Sequence, residues 1–579
     1  MPLKLNLRMV LWALFAIAII VNVQLYLREF PPAPRVAPLP TTTLNESQPT
    51  LGNTAPTAGA GAGAGAAGTP GAPTAGAGSV ASAGAAIPAT TPGLAAGTGT
   101  AAGAPTVHLS TDVLALTVSL DGGNLVDAQL LAYPAVKGKP QPVQLLQPQP
   151  PVFEVQGGLA GSAGEVAPTH LARYSSQVTS AVLAPGQDTL SLPLTWNDGH
   201  GLTVVKTLTL HRNSYVIDVT YQINNGSGQA FSFAPYEQIV RLNVPVRRSY
   251  FNPGSYAYKG PAYFDGSRFE KVNYQKGGKL DMAVRGGYLA ALESYFFAGI
   301  LPPQNETFQY SLDSQGDEFL LKAVGPTQSV AAGADSTAHD TLYIGPKQQS
   351  RLAAIHPALD RVSDYGVLRV LSEPMLWLLL KVHAGIGNWG FAIIIVTLLI
   401  KLVLYPLSET SYRSMAKMKA LAPRINSLRE NFKDDREKLA RAQMELYKKE
   451  KINPLAGCLP MLVQVPVFFA WYWVLRDSVE LRQAPFFLWI NDLSARDPFY
   501  VLPAIMAVAM FIQTKYFSAP ASDPAQQKVM MFMPLAMSAT FAFFPAGLVL
   551  YWITNTVLGI LQQWNINRRM ESVEARLKR

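Results

Sequence analysis

The sequence predicts a polytopic α-helical membrane protein with six transmembrane helices and a large antiparallel β-sandwich domain outside the membrane. Three observations lead there. Of the 579 residues, 49% are hydrophobic and only 15% charged, and the mean hydropathy is +0.14, a balance that fits a membrane protein better than a soluble enzyme. A long central stretch alternates apolar and polar residues between turns. The C-terminal third then holds five apolar segments separated by loops of unlike charge.

The N-terminus, "MPLKLNLRMVLWALFAIAIIVNVQLYLREF", places Lys4 and Arg8 ahead of about twenty mostly apolar residues, enough for a span. Residues 1–30 are therefore expected to form an uncleaved transmembrane helix with a cytoplasmic N-terminus. A cleaved signal peptide is the alternative, but the only small-residue pattern, Ala16-Ile17-Ala18, lies inside the apolar run rather than after it. Residues 31–105 are mostly Pro, Ala, Gly, Thr and Ser, with Arg35 and Glu46 as their only charges. Such a composition buries no core and reads as a disordered tether.

From 106 to 350 the texture is that of strands. "VLALTVSLDGGNLVDAQLL" alternates around an Asp121-Gly122-Gly123 turn, and "LTVVKTLTLHRNSYVIDVTYQINN" supplies two more strands. Strands without intervening helices argue for an antiparallel sandwich. Residues 365–387 are apolar with Arg369, Glu373, Lys381 and His383 interspersed, which suits an amphipathic helix lying in the membrane interface, with Pro374 breaking or beginning it.

The five apolar segments are 389–406, 456–475, 499–516, 529–544 and 547–565. Residues 407–455 between the first two carry twelve Lys or Arg against seven Asp or Glu, whereas the loop 477–498 has two basic residues against four acidic ones. The tail 566–579 adds five basic residues. By the positive-inside rule the first loop and the tail are cytoplasmic, which gives both termini inside and the β domain outside. This placement accounts for most of the net charge of +9 without direct nucleic-acid binding, leaving a ribosome surface as a possible partner. The loop itself has helical spacing in two stretches around "KDD" (433–435), with Met415, Met418, Ala422 and Ile425 on one face: an antiparallel hairpin whose methionines either offer an adaptable binding face or pack the two helices together.

No phosphate-binding loop, zincin motif or pair of intramembrane aspartates is present, and the seven histidines lack metal-ligand spacing. No catalytic residue, metal site or cofactor is expected. The polar membrane residues form a short list instead. Lys401 sits within an apolar run, where a lysine costs about 2.5–3.5 kcal/mol at a helix centre unless it meets a wet cavity, a partner or a nearby surface to snorkel to. Thr397 lies one turn earlier on the same face. Gln464 stands between Pro460 and Pro466, and Tyr551, Trp552, Thr554 and Asn555 mark the last segment. Together they suggest a hydrated cavity inside a small bundle.

The ordered motifs "GNWGFAIIIVTLLIKLVLYPL", "NPLAGCLPMLVQVPVF", "SVELRQAPFFLWINDLSARDPFYVLP", "FMPLAMSATFAFFPAGLVLYWITN" and the basic "SMAKMKALAPRI" resemble the YidC/Oxa/Alb group of bacterial membrane protein insertases over about 365–566. The first helix, tether and β domain resemble the Gram-negative form, extending the likeness over nearly the whole chain. The resemblance implies a five-helix insertase core around a hydrophilic groove open to cytoplasm and lipid, a periplasmic β-supersandwich, and nascent membrane proteins, membrane lipids and Sec translocon components as partners, with no nucleotide hydrolysis. It matches the family's groove charge to Lys401 and its functional threonine to Thr397, and implies a slide for emerging helices at Tyr551 and Trp552. Gln464 and Asn555, from the list of polar membrane residues, are expected to complete the groove, and Met415, Met418, Lys417 and Lys419 of the basic hairpin to make its contacts. The family's groove charge is usually arginine, so Lys401 supplies a compact ammonium in place of a planar fork. A solute transporter and a scaffold for the β domain are the competing readings. The first requires an internal repeat that the sequence does not display, and the second makes charge at 401 irrelevant.

Overall fold

The computed structural model describes residues 104–162, 165–244, 249, 255, 257–363, 365–432, 435–450, 459–517 and 524–577. The expected N-terminal helix and all of the tether up to residue 103 lie outside them.

The strands expected between 106 and 350 assemble into two sheets. The larger has eleven strands. Its main path runs Leu280–Arg285, Thr307–Gln315, Glu318–Val324, Phe231–Leu242, Phe153–Gly161, Leu125–Pro134, Leu114–Ser119, Thr106–Ser110 and Ser180–Val182. The smaller has eight strands, with Leu202–His211, Val216–Asn225 and Asp335–Pro346 adjacent near one edge. The two strands expected around Asn213 pair in register, Leu210 opposite Ile217 and Val204 opposite Ile223. Their alternating side chains bury one face, as period-2 patterning requires. The expected turn at Gly122 and Gly123 joins Leu114–Ser119 to Leu125–Pro134, and both glycines have positive φ (79° and 59°), which that turn needs. The antiparallel expectation needs one correction: Thr106–Ser110 and Ser180–Val182 pair in parallel, because the chain returns to that edge through a long connection rather than a hairpin.

An apolar core fills the space between the sheets, with a polar cluster inside it. The Lys206 ammonium donates to the carbonyls of Gly157 (3.0 Å) and Gly122 (3.3 Å), and the Tyr221 hydroxyl donates to Glu237 at 2.8 Å. Burial pushes Lys206 down, Glu237 up to about 7 and Asp340 well above the usual carboxylate range, since each would otherwise hold its charge away from water.

Ten helices follow among the described residues: α1 (Gln349–Ile355), α2 (Arg369–Ile386), α3 (Trp389–Val403), α4 (Tyr405–Ala420), α5 (Ala422–Asn431), α6 (Arg436–Lys449), α7 (Leu459–Asp477), α8 (Val501–Phe517), α9 (Pro524–Phe541) and α10 (Ala546–Leu577). Pro374 neither starts nor breaks α2. It lies inside the helix, on the exposed side, and removes only the bond to the Val370 carbonyl. The helix α10 runs on through most of the expected basic tail. Among the described residues no single helix is long and apolar enough to cross a membrane, and the bent pair α3–α4, turned by 71°, has the length and composition only as a unit. For α3 the reason is length, since its 15 residues rise about 22 Å, short of a hydrocarbon core of about 30 Å; α10 is long enough at 32 residues but carries its charges in its last turns. The expected six spans therefore do not appear as six separate long helices.

An apolar cluster drawn from α2, α3, α7, α8, α9 and α10 holds the helical part together around Trp471, Val396 and Met506. The acidic loop after α7 packs on the sandwich: Lys137 donates to the Gln483 carbonyl at 2.7 Å, Arg482 to that of Pro134 at 2.9 Å, and Val479 enters the sandwich core.

Candidate functional site: a polar cavity among the helices

The site is built on α3. Its N-cap is Asn388, whose side-chain oxygen accepts from the Gly390 and Phe391 amides (2.9 and 3.1 Å), satisfying two otherwise orphaned donors. The other half of the same amide donates to the Phe486 carbonyl at 2.9 Å, tying the helix start to the acidic loop. Ala392, Ile393 and Val396 bury one face of α3. Thr397 is buried on that side and donates to the Ile393 carbonyl at 2.6 Å, the local back-bond open to any threonine in a helix. Lys401 follows one turn later and is half-buried. No carboxylate among the described residues lies within ion-pair distance of its ammonium. The chain then bends into α4, where Pro406 sits in the first turn and its missing N–H costs nothing.

The bend brings Leu404, Leu407 and Ser408 round to the cavity that Lys401 faces. Thr397, Lys401, Gln464, Tyr551 and Asn555 all line this cavity, although they come from α3, α7 and α10. Its volume is about 30 Å³, room for about two waters. Beyond Asn555, one further turn along α10, Gly559 has no side chain. A Cβ there would lie 3.3 Å from the Tyr412 hydroxyl, 3.5 Å from the Gln513 amide nitrogen and 3.7 Å from the Lys401 ammonium. Three polar groups from α3, α4 and α8 thus meet over a bare backbone. Ser408, Tyr412, Gln513 and Gly559 are the residues that reading the sequence missed. Gln513 carried a signal, as a lone amide after the apolar "VLPAIMAVAMFI"; the others carried none.

The two residues of the expected slide diverge. Tyr551 is buried, lines the cavity and stacks on Trp471 (5.4 Å between ring centres, 29°). Trp552 does not reach the cavity and packs edge-on against Phe468 (5.0 Å, 88°) and beside Phe541 (5.2 Å). In the hairpin, Met418 joins Leu421, Ile425, Leu446 and Tyr447 in a small core, which is the packing alternative for that methionine. Met415 is half-buried and Lys417 exposed. The Lys419 ammonium donates to the Tyr516 carbonyl at 2.6 Å, and Gln563 to that of Phe517 at 2.8 Å, so these two side chains cap the orphan carbonyls ending α8.

Known proteins identify the frame. The family described as 60Kd inner membrane protein matches residues 381–574, and the YidC periplasmic domain matches residues 106–378. A membrane protein insertase YidC from Thioalkalivibrio sulfidiphilus is 44% identical over 478 residues, covering 80% of this chain and 85% of that one.

The chain belongs to the YidC family of membrane protein insertases.

A Coxiella burnetii YidC is 40% identical over 583 residues, covering 99% of this chain and 98% of its own, so the likeness extends through the residues ahead of the sandwich. A solved structure, an active YidC insertase with its first transmembrane domain resolved, covers 79% of this chain and 92% of its own at 19% identity and a TM-score of 0.35; at that score the superposition adds nothing to the assignment. YidC relatives are inner-membrane insertases with a periplasmic domain that act on nascent membrane proteins, and the sandwich here is the part matched by that domain.

Proposed function

We propose that this chain inserts and helps fold inner-membrane proteins, alone or beside the Sec translocon, by passing the polar part of a client through a hydrophilic groove centred on the Lys401 cavity, without nucleotide hydrolysis. The observation that carries this reading is the convergence of Thr397, Lys401, Gln464, Tyr551 and Asn555 on one cavity. An unsatisfied backbone group in hydrocarbon costs several kcal/mol, and water and polar side chains in a groove shorten the distance over which a client bears that cost. The Lys401 ammonium, with no carboxylate of its own among the described residues, attracts acidic residues of the client tail. The apolar segment then leaves sideways into lipid, driven by its own burial, with Tyr551 at the exit. In this reading six spans place both termini in the cytoplasm and the sandwich in the periplasm, and the basic hairpin and tail receive clients from the ribosome.

The test is insertion of a short single-span client with an acidic external tail into proteoliposomes holding only this protein, read by protease protection of the tail. Wild type and Lys401→Arg are expected to insert it, Lys401→Ala less, and Lys401→Glu least. Equal insertion by all four would sink the role of the charge. A client without acidic residues in its tail is expected to depend less on position 401.

A further inference from the structure

Where the sandwich meets the start of α2, an open cleft of about 360 Å³ is lined by Ser267, Arg268, Phe269, Glu270, Arg361 and Arg369. One wall is the 265–268 turn, held by the Asp265 carboxylate accepting from the amides of Ser267 (2.7 Å) and Arg268 (2.6 Å). The other is the short turn Leu359–Val362 and the first residue of α2. Arg361 is fixed in place: it donates to the Ser267 carbonyl at 2.6 Å and lies over the Phe264 ring at 5.2 Å. Arg369 bridges Asp360 and Glu373, each at 2.5 Å. Arg268 is exposed and makes no ion pair among the described residues. Glu270 accepts from the Tyr263 hydroxyl at 3.0 Å through one oxygen, which leaves the other for a ligand. The opening thus offers guanidinium donors and a carboxylate side by side. That pattern matches a ligand carrying both a phosphate and a primary ammonium better than a simple anion, which the carboxylates here would repel.

The position of α2 shows what else the ligand carries. The helix buries Ser372, Met375, Leu376 and Leu379 against the other helices and turns Val370 (81% exposed), Leu371, Pro374 and Trp377 (61% exposed) outward. This is an apolar stripe at helical spacing, the face of a helix lying in a membrane interface. At the far end of α2, on another face, His383 stacks flat on Trp389 of α3 (3.7 Å, 9°), which holds α2 against the cavity-bearing helices. Arg369 immediately precedes Val370 in the chain, so acyl chains resting on Val370 and Trp377 bring their headgroup to the cleft. A soluble phosphate compound has no use for that stripe.

We propose that the cleft binds the headgroup of an aminophospholipid of the outer leaflet, with its phosphate on Arg268 and Arg361, its ammonium on Glu270, and its acyl chains along Val370 and Trp377. The site anchors the sandwich to the bilayer surface beside the cavity-bearing helices. It rests on α2 being interfacial and not on the role of Lys401, so lipid binding and client insertion fail independently.

The test uses the full-length protein in detergent, stripped of lipid and offered phosphatidylethanolamine, phosphatidylcholine and phosphatidylglycerol with identical acyl chains, with bound lipid counted by native mass spectrometry. Wild type is expected to retain the ethanolamine lipid over the choline lipid by roughly threefold or more, because a quaternary ammonium donates no hydrogen bond to Glu270. Arg268→Gln with Arg361→Gln, and separately Glu270→Gln, are expected to abolish that preference, while Lys381→Gln, on the same helix but outside the cleft, keeps it. Should the double variant fold poorly, Arg268→Gln alone and Glu270→Gln decide, since both side chains are exposed. Equal retention of the ethanolamine and choline lipids by wild type overturns the proposal, as does a preference for phosphatidylglycerol, or a preference that survives both sets of changes.

Discussion

Replacing Gly390 by alanine sets two effects of opposite sign against each other. Alanine favours a helix interior over glycine by about 1 kcal/mol, and by less here, because Gly390 is the second residue of α3. Against that gain, a Cβ at 390 would stand 1.9 Å from Cδ2 of Phe486 and 2.3 Å from its Cγ. No contact of that kind is tolerated, so the ring has to leave. Overpacking of this type costs about 1–3 kcal/mol. Moving the ring also disturbs its edge-to-face contact with Phe391 (5.3 Å, 74°), worth about 0.5–1.5 kcal/mol. Displacement wins, and Gly390→Ala is expected to destabilise the helical part by about 1–3 kcal/mol net. Because Asn388 holds the Phe486 carbonyl, the change also loosens the cap of α3 and the acidic loop. The assay is denaturant unfolding of the full-length protein in detergent, comparing Gly390→Ala, Phe486→Ala and the double variant. If the ring is the cause, Gly390→Ala costs less in the Phe486→Ala background, with a coupling of roughly 1 kcal/mol or more. An alanine variant as stable as wild type, or additive single changes, would refute the argument.

Three other outcomes are expected. His170 is buried with its ring nitrogen 2.8 Å from the Tyr236 hydroxyl, and desolvation pushes its pKa from 6.5 down to about 4. The unfolded chain therefore binds a proton below pH 6.5 that the folded sandwich refuses until about pH 4, so stability present above pH 6.5 is lost as pH falls, by about 3 kcal/mol at most. The folded fraction in the sandwich against pH, with His170→Gln flattening the curve, checks this. Gly157→Ala would place a Cβ 2.0 Å from an oxygen of buried Glu237 and is expected to cost about 2 kcal/mol or more; a normal midpoint for the sandwich transition would contradict it. Gly559→Leu fills the space shared by Lys401, Tyr412 and Gln513 and is expected to lower proteoliposome insertion about tenfold while Gly559→Ala lowers it about twofold or less; indifference to leucine would show that this space is not used.

Much of the architecture was legible because its signals are local. Strand alternation, the Gly122-Gly123 turn and the apolar segments are periodic patterns of neighbouring residues, and the structure follows them from Thr106 to Pro346 and from Trp389 into α10. The charge difference between the two loops is likewise a property of composition. Thr397, Lys401, Gln464, Tyr551 and Asn555 stood out for one reason, that polar groups in apolar runs are expensive and need a cause.

What composition and spacing left open, packing decided. Tyr551 and Trp552 are adjacent and alike in chemistry, yet Tyr551 is buried and lines the cavity while half-buried Trp552 packs against Phe468 and Phe541, because successive side chains on a helix point about 100° apart. Whether Met418 and Lys419 face a client or their own fold depended on where α6 and the end of α8 lie, and both have partners within the chain. The arginine cleft joins a turn near residue 268 to a helix starting at 369, and Gly559 matters only because three other helices converge on it. By itself the sequence determined the elements, the sidedness expected of them and the short list of costly polar residues, since these follow from each segment's own transfer energies. Only the tertiary structure decided which of those residues meet, because a meeting is a property of two segments and of the space between them.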